Sequence, residues 1–460
     1  MFGRDTEVSG DTLDDLTPPA GAAVEAARRF QALGFKVRHI GTFSISGEGP
    51  RALWEKTFGT TVEPQRAPLS EAHPDLGEVE FLSHVPDTPF EVPESISDLV
   101  EGAYPQRPAT LFQSPLPPRV GYHHLRVPSD VSLVLRSERV HKNGVTGDGV
   151  LVAMVDSGFY RHAFYDWHGY SYNVTLAPDA TRVEEDANGH GTAEAANIFA
   201  NAPDIDFIGV KWGANPTLAF KTASDLHPAV MTNSWGYTIR NPPLPNHLKP
   251  LEAAVIEAVR RRGITVCFSA GNGHWGWPGQ MPDVISVGGV YSGEKLTGGD
   301  FDLQASDYAS SFDSNIYPGR HVPDVCGLVG MRPRGIYIML PVPPRSQIDR
   351  GLAGGAFPNG DETAADDGWA VISGTSASSP QIAGVCALLK EVQPGLSPDL
   401  IKSILRASAR DVTKGRSAHG QPAGPGHDGA TGAGLVDAEV ACNLARSVKI
   451  RNVFDLPPPR

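Results

Sequence analysis

Cysteine is scarce in this chain: four residues in 460, at Cys267, Cys326, Cys386 and Cys442, widely spaced and with no CxxC pair. Such spacing offers neither a disulfide framework nor a zinc site. Cys267 and Cys386 lie inside apolar runs and read as small buried hydrophobes. No run of ~18 apolar residues occurs, so no membrane-spanning helix is expected. The opening MFGRDTEVSGDTLDDLTPP lacks the apolar segment of a Sec signal, so a cytoplasmic location is expected, with export by another route left open. Positive charge is short too: 39 Lys and Arg against 52 Asp and Glu give a net charge of −13. The one basic triplet, Arg260-Arg261-Arg262, closes a helical pattern, where it suits the helix dipole. Nucleic acids and anionic membranes are held by basic patches, so neither partner is expected. Glycine and proline are instead plentiful, 50 and 40 residues, which makes the chain loop-rich without reaching the ~25–30% of low-complexity disorder.

The pattern along the chain divides it into five parts. Residues 1–19 are acidic and polar and are expected to be mobile. Residues 20–104 read as a small α+β unit. Val24, Ala27, Phe30 and Leu33 recur at helical spacing before Gly34, and Phe35, Val37 and His39 alternate as in a strand. Phe43 and Ile45 alternate next, and Leu53, Trp54 and Phe58 return to helical spacing, giving half of a ferredoxin-like layer. Residues 105–145, with Pro105, Pro108, Pro115, Pro117 and Pro118, read as a Pro-rich surface linker. From 146 to 445, continuous apolar strands (Gly149–Val155, Ile264–Phe268, Val284–Val287) alternate with helices such as Leu251–Arg262 and the one opened by Ser397-Pro398. That pattern predicts a doubly wound α/β domain, a parallel sheet covered on both faces. Residues 446–460, ending Pro457-Pro458-Pro459, read as a loose tail.

Four short segments at the ends of these elements carry chemistry. Asp156 follows the strand Leu151–Val155, and ligands of parallel α/β sheets bind just beyond the carboxyl ends of strands. A carboxylate there could orient an imidazole; equally it could cap a turn. His190 stands in Asn188-Gly189-His190-Gly191-Thr192 ahead of a helix, where flanking glycines let backbone approach the ring; a lone His is as readily structural. Ser376, in Gly374-Thr375-Ser376-Ala377-Ser378-Ser379-Pro380, lies between the strand Trp369–Ile372 and the helix Gln381–Val392. A helix N-terminus favours negative charge on its oxygen, although Ser also simply caps helices. Ser269-Ala270-Gly271-Asn272-Gly273 follows the strand Ile264–Phe268. Its side-chain amide could donate to an oxyanion, or the segment could be only a turn.

Taken together and in this order, Asp…His…Asn…Ser, the four segments resemble the subtilisin-like serine proteases, the subtilases, over residues 146–445. Triad order separates folds that share one geometry. The resemblance implies that Ser376 attacks a peptide carbonyl, that His190 moves its proton, and that Asp156 orients the ring. It further implies that Asn272 and the Ser376 N–H form the oxyanion hole. Ser234, Trp235 and Gly236 would be the substrate-binding strand, and Ser269, Ala270 and Gly271 the opposite wall of the first specificity pocket. The implied partner is a protein or peptide substrate. Residues 45–60 and 92–100 are similar to the activation domain of kumamolisin/sedolisin proteases, so 20–104 would be a prosegment, an intramolecular inhibitor cut off within 105–145. An appended recognition domain that stays in place is the alternative.

The chain departs from the family pattern at two places. Ala377, Ser378, Ser379, Pro380 and Gln381 replace Met-Ala-x-Pro-His. Ala193, Glu194, Ala195 and Ala196 replace His-Val-Ala-Gly. Glu194, one turn from His190, either raises the imidazole's pKa or is solvated on the helix face; the solvated position is expected. Trp235 is expected to narrow or stack within a substrate subsite. No phosphate loop occurs, and His162, His168 and Tyr170 do not meet a metal-ligand spacing. No cofactor is expected. Calcium, common in the family, has no assignable ligand set, and Asp361, Glu362, Asp366 and Asp367 read as a solvated loop. Three functions stay open: a serine endopeptidase, a protease or acyl transferase dedicated to one precursor peptide, and a peptide-binding protein without turnover.

Overall fold

The structure is a computed structural model that describes residues 17–68, 78–107, 116–294 and 302–448. The expectations for residues 1–16 and 449–460, and for the linker prolines Pro108 and Pro115, lie outside the described residues. Two compact units divide the chain, Met1–Gln113 and Ser114–Arg460.

In the first unit the predicted order helix, strand, strand, helix is the order adopted. Helix Ala22–Ala32 is followed by the antiparallel strands Lys36–Ile40 and Ile45–Glu48, then by helix Arg51–Phe58. A second antiparallel pair, Val62–Pro68 with Glu78–His84, completes it. Phe35, Phe58 and Ile96 form its buried centre, with Phe30 stacked on Phe35 at 4.3 Å between ring centroids.

The second unit is built on an eight-stranded sheet among the described residues. Its strands are β1 (Leu151–Asp156), β2 (Tyr172–Leu176), β3 (Asp206–Lys211), β4 (Val230–Asn233), β5 (Thr265–Ser269), β6 (Ile285–Ser292), β7 (Leu303–Ala305) and β8 (Val325–Leu328). Their spatial order is β7-β6-β5-β4-β1-β3-β2, and β8 also pairs with β6. All pairings are parallel except β6 with β7. Continuous apolar runs are what a sheet buried on both faces requires, and β1 shows why. Val152 and Met154 enter one core cluster, Ala153 and Val155 another, because successive side chains point to opposite faces. Helices α1 (His190–Phe199) and α2 (Thr375–Val392) cover the first face. Pro216–Asp225 and Lys249–Arg260 cover the second. A Cβ on Gly384 would sit 2.7 Å from the Ile198 carbonyl oxygen, so glycine allows α2 to cross α1 this closely.

The linker expectation is corrected over 119–145. Leu125–Arg126 pairs in parallel with Ile338–Pro341, and Ser129–Leu135 and Ser137–His141 are helical. Leu125, Val131, Val134 and Leu135 are fully buried. The apolar spacing of Val131, Val134 and Leu135, one face of a helix, outweighs the prolines that precede it. Trp369–Ile372 is a strand, as read, but it pairs antiparallel with Ile338–Pro341 outside the main sheet. All four cysteines are buried free thiols. No helix among the described residues is long and apolar enough to cross a membrane.

Candidate active site

Parallel pairing brings the carboxyl ends of β1, β4 and β5 to one edge of the sheet. Val155 is paired with Asn233, and Asn233 with Phe268. The next residues, Asp156, Ser234 and Ser269, therefore stand side by side on three adjacent strands, at the edge where such sheets bind ligands.

His190, the first residue of α1, meets Asp156 there. Its Nδ1 lies 2.8 Å from Asp156 Oδ1, with the carboxylate fully buried and the His190 side chain 24% exposed. Gly191 makes this approach possible: a Cβ there would fall 2.1 Å from the Gly158 carbonyl oxygen and 3.0 Å from Asp156 Cβ. Burial opposes protonation of the imidazole. The Asp156 carboxylate, with smaller help from Glu194 and Asp186, overcomes this and pushes the His190 pKa up to about 9.

Sequence reasoning missed the anchor of this corner. The buried Asp186 carboxylate accepts the Gly189 N–H (2.9 Å), the Thr192 N–H (2.9 Å), the Thr192 hydroxyl (2.8 Å) and the Ser157 hydroxyl (2.9 Å). It caps the uncapped start of α1 from upstream and ties it to the turn after Asp156. The available signal was an Asp three residues ahead of a glycine at a helix start.

Ser376 lies in the first turn of α2. Pro380 has no N–H to give the Ser376 carbonyl four residues back, and the Ser234 hydroxyl supplies the missing donor at 2.8 Å. In return Ser376 Oγ donates to the Ser234 carbonyl at 3.3 Å. In this resting arrangement His190 Nε2 has no hydrogen-bond partner among the described residues. Asn272 sits opposite. Its Oδ1 accepts the N–H and the hydroxyl of Thr375 at 2.9 and 3.1 Å, so its amide nitrogen is left as a fixed, exposed donor. A Cβ on Gly374 would lie 2.9 Å from that nitrogen. Thr375 Oγ1 also accepts the Gly271 N–H at 3.0 Å, locking the glycine loop to α2. The Ser376 N–H, at the helix N-terminus, has no acceptor among the described residues. Among the described residues, the Asn272 amide nitrogen and the Ser376 N–H are thus both donors without an acceptor near the start of α2.

The remaining positions are less uniform. Ser234 and Ala270 are buried, Ser269 and Gly271 half-buried, and Gly236 exposed. Beyond Gly236, Tyr237–Thr238 pairs antiparallel with Gly276–Trp277. Trp235 turns under the sheet: its indole N–H donates to the Val155 carbonyl at 3.0 Å, and its ring packs edge-on against Trp212 and Phe268. These contacts make it a brace between β1 and β5. The expectation for Glu194 is corrected. It is 1% exposed, because α1 is lined by Ala193, Ala195, Ala196, Ile198 and Phe199 and has no solvent face there. Nor is the acidic loop simply solvated. Asp361 is fully buried, its carboxylate accepting the Thr363 N–H and hydroxyl and the Val371 N–H. Asp367 accepts the N–H groups of Ala364 and Trp369.

Comparison with known proteins gives a family. Residues 147–434 match the Subtilase family. Serine protease AprX of Bacillus subtilis (strain 168) is 28% identical over 310 residues, which cover 59% of this chain and 64% of AprX. The chain thus spans somewhat less than two thirds of that relative. Subtilisin Savinase of Lederbergia lenta is 25% identical over 68% of this chain and 98% of its own length. In fold, the chain is similar to Pseudomonas sedolisin, a serine-carboxyl proteinase, at a TM-score of 0.52 and 17% identity, over 71% of this chain and 99% of that one.

Proposed function

Because the chain belongs to the subtilase family, we propose that it is a serine endopeptidase working through Asp156, His190 and Ser376, with Asn272 in the oxyanion hole. The observation that supports this best is the 2.8 Å Asp156–His190 contact at the sheet edge that also holds Ser376 and Asn272. In the proposed cycle the Ser376 hydroxyl leaves the Ser234 carbonyl and gives its proton to His190 Nε2 as Oγ bonds to the scissile carbonyl carbon. The carbonyl electrons move to oxygen, facing the Asn272 amide and the Ser376 N–H. His190 then passes the proton to the departing amine, and water repeats the sequence on the acyl-enzyme. Asp156 holds the ring as its Nδ1–H tautomer and stabilises the cation. The backbone of Ser234–Gly236 would pair with an extended substrate.

A fluorophosphonate probe tests the reading. It is expected to form one adduct, on Ser376, in the folded enzyme and none after denaturation. Peptide hydrolysis that persists with Ser376 unlabelled would reject the assignment.

The pH profile follows from the charge at Asp156. The base must be neutral, and its pKa is raised to about 9. Activity therefore falls as pH drops through that value, and kcat/KM measured from pH 6 to 10.5 should rise throughout most of that range. An acid limb at the ordinary histidine value, ~6.5, would show that Asp156 does not act on the base.

The first unit is proposed as the prosegment. It is compact in its own right, as an intramolecular chaperone must be, and slow parallel-sheet folding gives such a chaperone a task.

A further inference from the structure

The two places where the chain departs from its family's pattern are linked through Asn197. Glu194 on α1 accepts the Asn197 amide N–H at 2.9 Å. Asn197 Oδ1 accepts the Gln381 amide N–H at 3.1 Å, and Gln381 lies on α2, five residues beyond Ser376. Gln381 is pinned in turn to β8, accepting the Leu328 N–H at 2.7 Å and donating to the Leu328 carbonyl at 3.2 Å. Glu194, Asn197 and Gln381 are 1%, 0% and 0% exposed. An apolar side chain would fill this space without the desolvation penalty that a carboxyl carries there. Among the described residues, the charged groups acting most on Glu194 include no lysine or arginine: from β1 comes Asp156 and from its own helix His190. Tyr165, on the helix Ala163–His168, and Tyr308 face it from other elements, and Asp186 acts on the same imidazole. Among the described residues, His190 is thus the one of these groups that can carry positive charge.

We propose that Glu194 is a positioning residue for His190, a second buried carboxyl that biases the imidazole toward its protonated form while the Asn197–Gln381 relay holds the His190 and Ser376 helices in register. Burial pushes the Glu194 carboxyl up to about 7; Asp156 adds to this, and His190 opposes it. Above that pH the carboxylate is ionised and raises the pKa of His190, and below it the influence is lost. The inference rests on the reading of His190 as the general base.

Glu194→Gln keeps the shape and an acceptor for Asn197 but removes the charge. The acid limb of kcat/KM is expected to move to lower pH by on the order of one unit, the effect of one charge a helical turn away. Glu194→Asp, which keeps the charge, should leave the limb near its wild-type position. NMR titration of the His190 ring in full-length Ser376→Ala protein, with and without Glu194→Gln, should show the same displacement without relying on turnover. A folded Glu194→Gln protein whose acid limb and ring titration match those with Glu194 intact would overturn the proposal. Should that variant not fold, the ring signal with Glu194 intact must still show a minor second inflection near pH 7, and its absence would equally overturn it. Turnover surviving in Ser376→Ala would instead overturn the endopeptidase reading and leave the ring titration to judge Glu194.

Discussion

Ser376→Ala is expected to lose on the order of a millionfold in kcat, the scale of loss when subtilisin, a relative, is stripped of its nucleophile. The size follows from how little else the hydroxyl does. Its one hydrogen bond among the described residues is the 3.3 Å bond to the Ser234 carbonyl, and such a bond contributes only about 1 kcal/mol to stability. The Ser376 carbonyl keeps its own bond from Ser234. The variant should therefore melt close to the wild type while turnover disappears, separating chemistry from folding. Intact mass on the same pair tests the prosegment: the wild type should lose its first unit, and Ser376→Ala should stay full length. If both stay full length under active conditions, that unit is not removed by the chain's own serine. Turnover within a hundredfold of wild type would mean that another group is the nucleophile.

Asp156→Asn is expected to lower kcat by about 10⁴. Asp156 Oδ1 serves both His190 Nδ1 at 2.8 Å and the Ser157 N–H at 2.7 Å, and the buried Oδ2 has no hydrogen-bond partner among the described residues. Asparagine has two ways to sit, and both fail. With its oxygen in the place of Oδ1, the amide N–H₂ falls where Oδ2 finds nothing, an unpaired buried donor costing about 1–3 kcal/mol. Flipped, the amide donates to His190 Nδ1, fixes the proton on Nε2 and removes the base. Either way the charge that stabilises the imidazolium is gone, so the raised His190 pKa must fall. Steady-state kinetics at alkaline pH, with a thermal melt as control, measures the loss; a decrease of less than tenfold would show that Asp156 is not the orienting group.

The sequence made much of this visible because the site residues lie at ends of strongly patterned elements. The run Leu151–Val155 could be read as a doubly buried strand, and its last neighbour, Asp156, as edge chemistry. His190 and Ser376 were marked by the glycines that their close packing demands. What stayed hidden was long-range or contrary to type. Asp186 works through Ser157 and Thr192, and Thr375 meets Gly271 across 104 positions; neither pairing leaves a local periodicity. A charged residue such as Glu194 reads as solvent-facing, although its neighbours Ala193, Ala195 and Ala196 leave α1 no polar side. The prolines ahead of residues 125–141 suggest a linker and mask the helical spacing of Val131, Val134 and Leu135.

Strand β1 ends at Asp156 after threading its side chains alternately into two separate cores. The carboxylate is thus anchored by the interior on both sides of the sheet rather than by a loop free to readjust. Damage to either interior, even a lost methyl group far from substrate, can reach the reacting atoms through the main chain alone.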